Sequence, residues 1–396
     1  MPNWTKDQAR AINERGGKII VSAAAGSGKT AVLSERVIQY ILNGGTVKKL
    51  LIVTFTNAAA FEMKERIKNK IKQAYVKNPS NEHLKKELSL VDVSDITTMD
   101  AFYNNLVKNN FEKLNIDRNY NILQTEEENI LKKKILNDLF ENSFKNNKSF
   151  KKLLSFFKAT DNTLISEVLL KVYDFLNTVP DYSLIIQKII NYYDGSFYKD
   201  LFFRKLHEEL SCIKDDYVNN TNGLYESSDK FDKAVEILNK EICYINDLIK
   251  INNFDDLSSR LRTITFDTLR APKGMGDNNY YVKLKFLRKT FKELINKKLL
   301  EQYNMTDEIY DNDMKLCKEN LTTLFDLVLE FKENLLNEKR RINSYSFSDI
   351  SFFVIDLLIK DGKKTSLAED LSKKYDEILI DEYQDTNNLQ NVIFNA

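Results

Sequence analysis

The sequence of 396 residues contains little cysteine, histidine, proline or glycine. Three cysteines with no Cys-x-x-Cys pair, together with two histidines, exclude a disulfide framework and a Cys/His zinc site from our expectations. No stretch approaches about 18 uninterrupted apolar residues, and no basic start leads into an apolar core, so we predict neither a membrane span nor a secretory signal. A reducing, cytoplasmic location fits these absences. The net charge of +1 indicates no nucleic-acid partner by itself.

Glycine is concentrated in the first 45 residues, where short apolar runs alternate with helical patterns. Fully apolar runs of this length are typical of parallel strands that are covered on both faces. Two such runs, at 19–21 and 50–53, are predicted as strands, and a third strand candidate lies at 94–97. Their alternation with helices predicts a parallel α/β sheet.

Residues 111–340 have a different pattern, with Leu, Ile, Phe and Tyr at helical spacing and few glycines. We predict a block of several helices without strands, interrupted by loops at 178–181, 219–223 and 271–276. An amphipathic helix at 346–359 and an apolar strand at 378–380 then return to the α/β pattern. The expected fold is therefore one α/β domain, residues 1–110 and 341–396, which a large all-α insertion (residues 111–340) interrupts.

A glycine-containing loop between the first predicted strand and a helix is the strongest chemical signal. Gly26 and Gly28 allow tight turns in which successive N–H groups point at phosphate oxygens, beside the positive end of a helix. Lys29 is predicted to neutralise the β- and γ-phosphates of ATP, and the Thr30 hydroxyl to ligate Mg²⁺. The alternative is a chance turn with a solvated lysine. The predicted nucleotide-binding segment comprises Ala23, Ala24, Ala25, Gly26, Ser27, Gly28, Lys29 and Thr30.

An acidic pair follows the apolar run at 378–380. Carboxylates at the end of a buried strand are costly unless they bind a metal or have partners. We predict that Asp381 holds Mg²⁺, directly or through water, and that Glu382 polarises the water that attacks the γ-phosphate. The alternative is an acidic helix start, where carboxylates favour the helix dipole.

Two further segments allow a structural and a functional interpretation. Thr5 and Gln8 fit a helix capping box, but the Gln8 amide also matches the donor and acceptor of adenine. Phe55, at a strand end, is suited either to the core or to stacking on a base. The helix that follows carries a lysine-rich face, for which ordinary solvation is the usual explanation.

Together these segments resemble the UvrD-like group of superfamily 1 DNA helicases. The finer match is to the AddA-type component of helicase–nucleases, in the stretches SAAAGSGKTAVLSERVI, LLIVTFTNAAAFEMKERI, YSFSDISFFVIDLL and ILIDEYQDTN. The resemblance implies a RecA-like sheet, an adenine-reading role for Gln8, and contacts of Phe55, Thr56 and Asn57 with DNA. It also implies ATP and Mg²⁺ as cofactors, 3′→5′ movement on single-stranded DNA, action at double-stranded DNA ends in recombinational repair, and an AddB-type partner subunit.

Two departures from the family pattern change the expectation. Met99 and Asp100 stand where the family has a His-Ser pair, and a carboxylate there repels a DNA phosphate. A second motor domain and a nuclease domain are missing from the 396 residues, so we expect weak Mg·ATP binding, poor hydrolysis and no unwinding by this chain alone. The alternatives are a stand-alone UvrD/Rep-like repair helicase, a non-catalytic module that binds DNA or a partner, and an unrelated P-loop ATPase, against which the TFTNAAA segment argues.

Overall fold

The computed structural model describes residues 4–24, 26, 28–157 and 163–396. The chain forms two compact units. The sheet unit contains the described residues of Met1–Lys145, Thr163–Tyr182 and Val328–Ala396, and the helical unit contains those of Asn146–Asn162 and Ser183–Leu327. Among the helices in these described ranges, none is both long and apolar enough to cross a membrane.

The secondary structure is mainly helical. The strands are β1 (Leu50–Thr54), β2 (Asp95–Thr98), β3 (Asn121–Ile122), β4 (Ser344–Tyr345), β5 (Ile359–Lys360), β6 (Lys363–Lys364) and β7 (Glu377–Ile380). The helices are α1 (Lys6–Asn13), α2 (Lys29–Leu42), α3 (Asn57–Lys77), α4 (Glu82–Leu90), α5 (Met99–Asn109), α6 (Phe111–Leu114), α7 (Thr125–Asn146), α8 (Lys148–Phe156), α9 (Thr163–Leu176), α10 (Tyr182–Asn191), α11 (Phe197–Ser227), α12 (Asp232–Leu248), α13 (Phe254–Leu261), α14 (Asn279–Glu293), α15 (Leu300–Gln302), α16 (Asp307–Arg341), α17 (Phe347–Leu358), α18 (Ser366–Lys374) and α19 (Asn388–Asn395).

A parallel sheet with the order β2-β1-β7 organises the sheet unit. Every residue of the central strand β1 is buried, because its side chains alternate between two apolar clusters. Leu50 and Ile52 pack with residues of α2 and α3, whereas Leu51 and Val53 pack with residues of α5, α17 and α19. The strands predicted at 50–53, 94–97 and 378–380 are confirmed, each within one residue at either end.

Side-chain caps place the helices that follow these strands. The Thr98 hydroxyl accepts a hydrogen bond from the Ala101 N–H at 3.3 Å and so begins α5 directly after β2. Ser346 and Asp349 form a reciprocal capping box at the start of α17. The predicted helix at 346–359 is therefore confirmed as α17, and it packs against α5 and α19.

The strand predicted at 19–21 is wrong. These residues are in no strand, and Ile20 is 80% exposed. Within the described part of the chain the sheet ends at β7, whose Ile378 is 42% exposed. An apolar run expresses a preference for burial, but a strand forms only where a neighbouring backbone completes its hydrogen bonds.

The loop predicted at 219–223 is also wrong, because α11 continues without interruption to Ser227. A Cβ on Gly223 would lie 2.4 Å from a ring carbon of Tyr280. The glycine therefore allows an aromatic ring to pack directly on the helix backbone, and it does not break the helix. The loops predicted at 178–181 and 271–276 are confirmed between helices. One short strand, β3, does occur within 111–340, where it pairs with β4.

Candidate nucleotide-binding site

The predicted functional segments converge on one edge of the sheet. The three strands are parallel, so their carboxyl ends meet at the same edge. Phe55 follows β1, Met99 follows β2 and Asp381 follows β7. The Asp381 N–H donates to the Val53 carbonyl at 2.9 Å, so the ladder between β7 and β1 holds the acidic residue at this edge.

The glycine-containing loop enters α2 through a left-handed turn. Gly26 has a φ of +76° and Gly28 a φ of +84°, conformations that residues with a Cβ adopt only with strain. Gly28 is the N-cap of α2 and has no side chain to cap it, so the first N–H groups of the helix are left for a ligand. Ala23 and Ala24 precede this turn in exposed, non-helical backbone, and the predicted positions Ala25 and Ser27 lie outside the described residues.

Lys29 and Thr30 are the first two residues of α2. The Lys29 Nζ donates to the Ala23 carbonyl at 3.2 Å, so the ammonium group folds back across the loop. Thr30 is half-buried, and its carbonyl accepts the Ser34 hydroxyl at 2.6 Å within the helix. Both side chains that we predict to meet phosphate and Mg²⁺ thus lie at the positive end of α2.

Asp381 is electrostatically coupled to Lys29, which lies near the opposite end of the chain. Burial raises the pKa of the Asp381 carboxyl above its usual value, and the charge of Glu382 raises it further. The Glu382 N–H and the Lys29 ammonium act in the opposite direction and lower this pKa. Glu382 itself is exposed, has a φ of +55° and accepts a hydrogen bond from the Gln384 amide. The structure therefore brings the basic and acidic members of the predicted site together.

The chemistry of these donors fits a nucleotide with Mg²⁺. Hydroxyl and carboxylate oxygens are the ligands that Mg²⁺ prefers, and the ion commonly takes one or two of them together with substrate phosphates and water. In the described ranges, no group of three or more His, Cys, Asp or Glu side chains is arranged to hold a metal by itself.

The position of Gln8 is compatible with both interpretations of its segment, a helix capping box and recognition of adenine. Its backbone N–H donates to the Thr5 hydroxyl at 3.3 Å, and its side-chain Oε1 accepts the Thr5 N–H at 3.0 Å, so the capping box is formed. Its Nε2 lies 4.0 Å from the position of a Cβ on Gly28. The cap of α1 therefore also places the Gln8 amide beside Gly28 of the glycine-containing loop, which is the predicted phosphate loop.

The predicted DNA-contacting residues lie around the start of α3. Phe55 is 40% exposed, so it is not a core residue in this structure. Thr56 caps α3 by accepting the Ala59 N–H at 3.1 Å, and Asn57 is the exposed first residue of this helix. Contacts with nearby oxygen atoms partly neutralise the lysine-rich face of α3, which favours its interpretation as an ordinary solvated surface. The contacts are Lys64 with the Asp92 carbonyl, Arg66 with Glu62, Lys68 with Asp92, and Lys70 with Glu35.

An ionic cluster at the edge of the sheet where β7 begins, opposite the edge that carries Asp381, was missed by the sequence analysis. Arg36 of α2 and Arg15 both bind Glu377, the first residue of β7. The sequence does contain a signal for this cluster: Arg36 lies within the apolar stripe of a predicted helix, and Glu377 precedes an apolar strand. Charged residues in such buried positions require partners, because an isolated buried charge is costly.

Comparisons with known proteins show the family of the chain. The family model described as UvrD/REP helicase N-terminal domain matches residues 4–396. The chain is 32% identical to the A subunit of an ATP-dependent helicase/nuclease from Listeria innocua, over 98% of this chain and 33% of that protein. It is also 32% identical to the protein of the same name from Clostridium novyi, over 99% of this chain and 33% of that protein. The chain thus spans about a third of the length of the curated relatives it matches.

Proposed function

Since this chain belongs to the UvrD/Rep helicase family, we propose that it is the ATP-binding motor portion of an AddA-like, ATP-dependent 3′→5′ DNA helicase/nuclease. The observation that carries the proposal is that α2, which begins with Lys29, is joined by the Arg36–Glu377 ion pair to β7, whose ladder with β1 holds Asp381 at the carboxyl edge of the sheet. Segments from both sides of the helical residues 111–340 form that sheet, because β7 pairs directly with β1. We interpret it as a RecA-like motor domain, residues 1–110 and 341–396, with residues 111–340 as its 1B insertion.

Each residue at the edge of the sheet has a role in this proposal. The left-handed turn at Gly26 and Gly28 and the start of α2 form the cradle for the phosphates of ATP. Lys29 exchanges its hydrogen bond with a carbonyl for charge-assisted bonds to the β- and γ-phosphates. Mg²⁺ supplies neutralisation of the phosphate charge, with Thr30 and Asp381 as its protein ligands. Glu382 is the exposed carboxylate that orients the attacking water.

Binding of DNA is assigned to the end of β1 and the start of α3. Phe55 presents an exposed ring on which a base can stack, and Thr56 and Asn57 lie at a helix start that attracts phosphate. Movement on single-stranded DNA from double-stranded ends, with an AddB-type partner, is what the family resemblance implies and is part of the proposal. That name joins helicase with nuclease, and it favours this function over a stand-alone UvrD/Rep-like helicase.

The test measures binding of a fluorescent ATP analogue with Mg²⁺, and of a fluorescent single-stranded oligonucleotide, to the 396-residue chain. Lys29→Ala removes charge-assisted hydrogen bonds worth about 1.5–3 kcal/mol and should weaken nucleotide binding about 10- to 150-fold. Phe55→Ala removes a stacking surface worth about 1–3 kcal/mol per base and should weaken oligonucleotide binding about 5- to 150-fold.

Two matched controls test whether these effects are specific. Lys363→Ala removes an exposed lysine of β6, and Phe347→Ala removes a ring that is 52% exposed at the start of α17. Neither control should change nucleotide or oligonucleotide binding by more than about twofold. A chain that binds no nucleotide, or that binds it equally well after Lys29→Ala, would contradict the proposed function.

A further inference from the structure

Arg36 makes four hydrogen bonds to two different segments of the sheet unit. Its guanidinium donates through Nε and Nη2 to the two carboxylate oxygens of Glu377, both at 2.9 Å. Through Nη1 it donates to the carbonyls of Ala11 at 2.7 Å and Glu14 at 2.6 Å. The residue is only 9% exposed, so these bonds form in a setting where charge-assisted pairs are strong and misplacement is costly.

A second guanidinium completes the cluster. Arg15 donates to both oxygens of Glu377, at 2.9 and 3.1 Å, and to the Arg36 carbonyl at 3.0 Å. Glu377 therefore receives bonds from two cations and is itself largely buried. The planar fork of an arginine is needed at position 36, because a lysine ammonium cannot reach a carboxylate and two carbonyls in the same geometry.

The cluster connects the three elements that carry the nucleotide-binding residues. Arg36 lies on α2, which begins with Lys29, and Glu377 opens β7, which ends before Asp381. The two carbonyls belong to the end of α1, the helix that carries Gln8. A helix of eight residues is too short to be stable alone, so its position depends on tertiary contacts such as these. Positive charge at its carboxyl end is also favourable for its dipole.

We propose that Arg36 is a positioning residue that makes the site selective for the adenine base, by holding α1 so that the Gln8 amide faces the nucleotide bound at the phosphate loop. This inference rests on the proposed function. Arg36 bonds to Glu377 and to main-chain carbonyls of α1, and it acts on the nucleotide through Gln8. Arg15 bonds to Glu377 and to the Arg36 carbonyl, contacts that replacement of the Arg36 side chain leaves in place. Helix α2 and strand β7 therefore stay joined when α1 loses its two bonds, and recognition of the phosphates is separable from recognition of the base.

The test compares the affinity of the full 396-residue chain for ATP, for GTP and for inorganic tripolyphosphate, each with Mg²⁺. Arg36→Gln should weaken ATP binding about tenfold and reduce the preference for ATP over GTP, since the two hydrogen bonds of a Gln amide to adenine are misplaced. Tripolyphosphate has no base, and its affinity should change by less than about twofold. Arg10→Gln is the matched control, because Arg10 lies on α1, the helix that carries Gln8, with its side chain 75% exposed.

A double-mutant cycle with Gln8→Ala separates positioning from general destabilisation. If Arg36 acts through Gln8, then Arg36→Gln should cause no further loss of ATP affinity in the Gln8→Ala background. Should Arg36→Gln fail to fold, Arg36→Lys takes its place in the same cycle, with loss in the same direction. Additive losses, or equal losses for ATP and tripolyphosphate, would overturn the role of Arg36. Failure of the unmodified chain to bind ATP would instead overturn the proposed function.

Discussion

Replacement of Arg288 by methionine removes the cation from a buried charge network in the helical unit. Arg288 is 7% exposed and Glu241 is 1% exposed. Three contacts of 2.6–3.0 Å join the guanidinium to the carboxylate, and Arg288 also donates to the Asp267 carbonyl. The Tyr217 hydroxyl donates to Glu241 as well, and burial, followed by the charge of Glu241, raises the Tyr217 pKa. Arg288→Met leaves this carboxylate with a single neutral donor.

The expected loss of stability follows from that burial. Breaking a buried ion pair by removing one partner costs about 3–5 kcal/mol, because the remaining charge stays buried without compensation. Both partners are almost completely buried, so we take the middle of that range and expect a loss of about 4 kcal/mol. With a urea m-value of roughly 2 kcal/mol/M, the midpoint of the unfolding transition should fall by about 2 M. A double variant with Arg288→Met and Glu241→Leu should recover most of this loss.

Urea unfolding followed by far-UV circular dichroism measures these midpoints. The control is Lys289→Met, which changes an exposed neighbour on the same helix and should leave the midpoint within about 0.3 M. The reasoning is refuted if Arg288→Met lowers the midpoint by less than about 0.5 M. It is also refuted if the double variant is as unstable as the single one, because then the loss does not come from the unpaired carboxylate.

Three further changes test other parts of the molecule. Burial lowers the pKa of Lys332 from 10.5 to about 8 in the folded chain. Between about pH 8 and pH 10.5 the lysine therefore carries a proton in the unfolded chain but not in the folded one, and the free energy of unfolding of the wild type should rise with pH across this window. Lys332→Met should abolish that rise, which urea midpoints at pH 8 and pH 10 will show; an unchanged slope would contradict the assignment. Asp381→Asn should remove the Mg²⁺ dependence of ATP binding, measured by titration of the metal at fixed nucleotide, and a retained dependence would exclude Asp381 as a ligand. Gly28→Ala should destabilise the chain by roughly 1–2 kcal/mol through its positive φ, whereas Gly276→Ala should not, and equal thermal midpoints would count against strain in the loop.

Local patterns in the sequence were sufficient wherever neighbours along the chain supply the interactions. The caps at Thr5, Thr98 and Ser346 satisfy N–H groups within three residues, and the capping box predicted at Thr5 is confirmed. The turn at Gly26 and Gly28 and the helix start that follows also depend on residues adjacent in the sequence, because glycine adopts positive φ values without strain. The apolar runs of β1 and β7 predict strands, because burial on both faces leaves a short uninterrupted apolar signal.

Tertiary structure alone decided the features that depend on a distant partner. The run at 19–21 has a strand's composition but lies outside the sheet, since pairing requires a neighbouring backbone. Gly223 lies within a helix and leaves the space in which the Tyr280 ring packs, and no local pattern reveals that ring. Arg36 and Glu377 are ordinary charged residues in the sequence until folding buries them together. By itself, the sequence determined the local turn and helix start at which we predict phosphate binding. The fold determined which charges surround it, because electrostatic partners are chosen by proximity in space and not by spacing along the polymer.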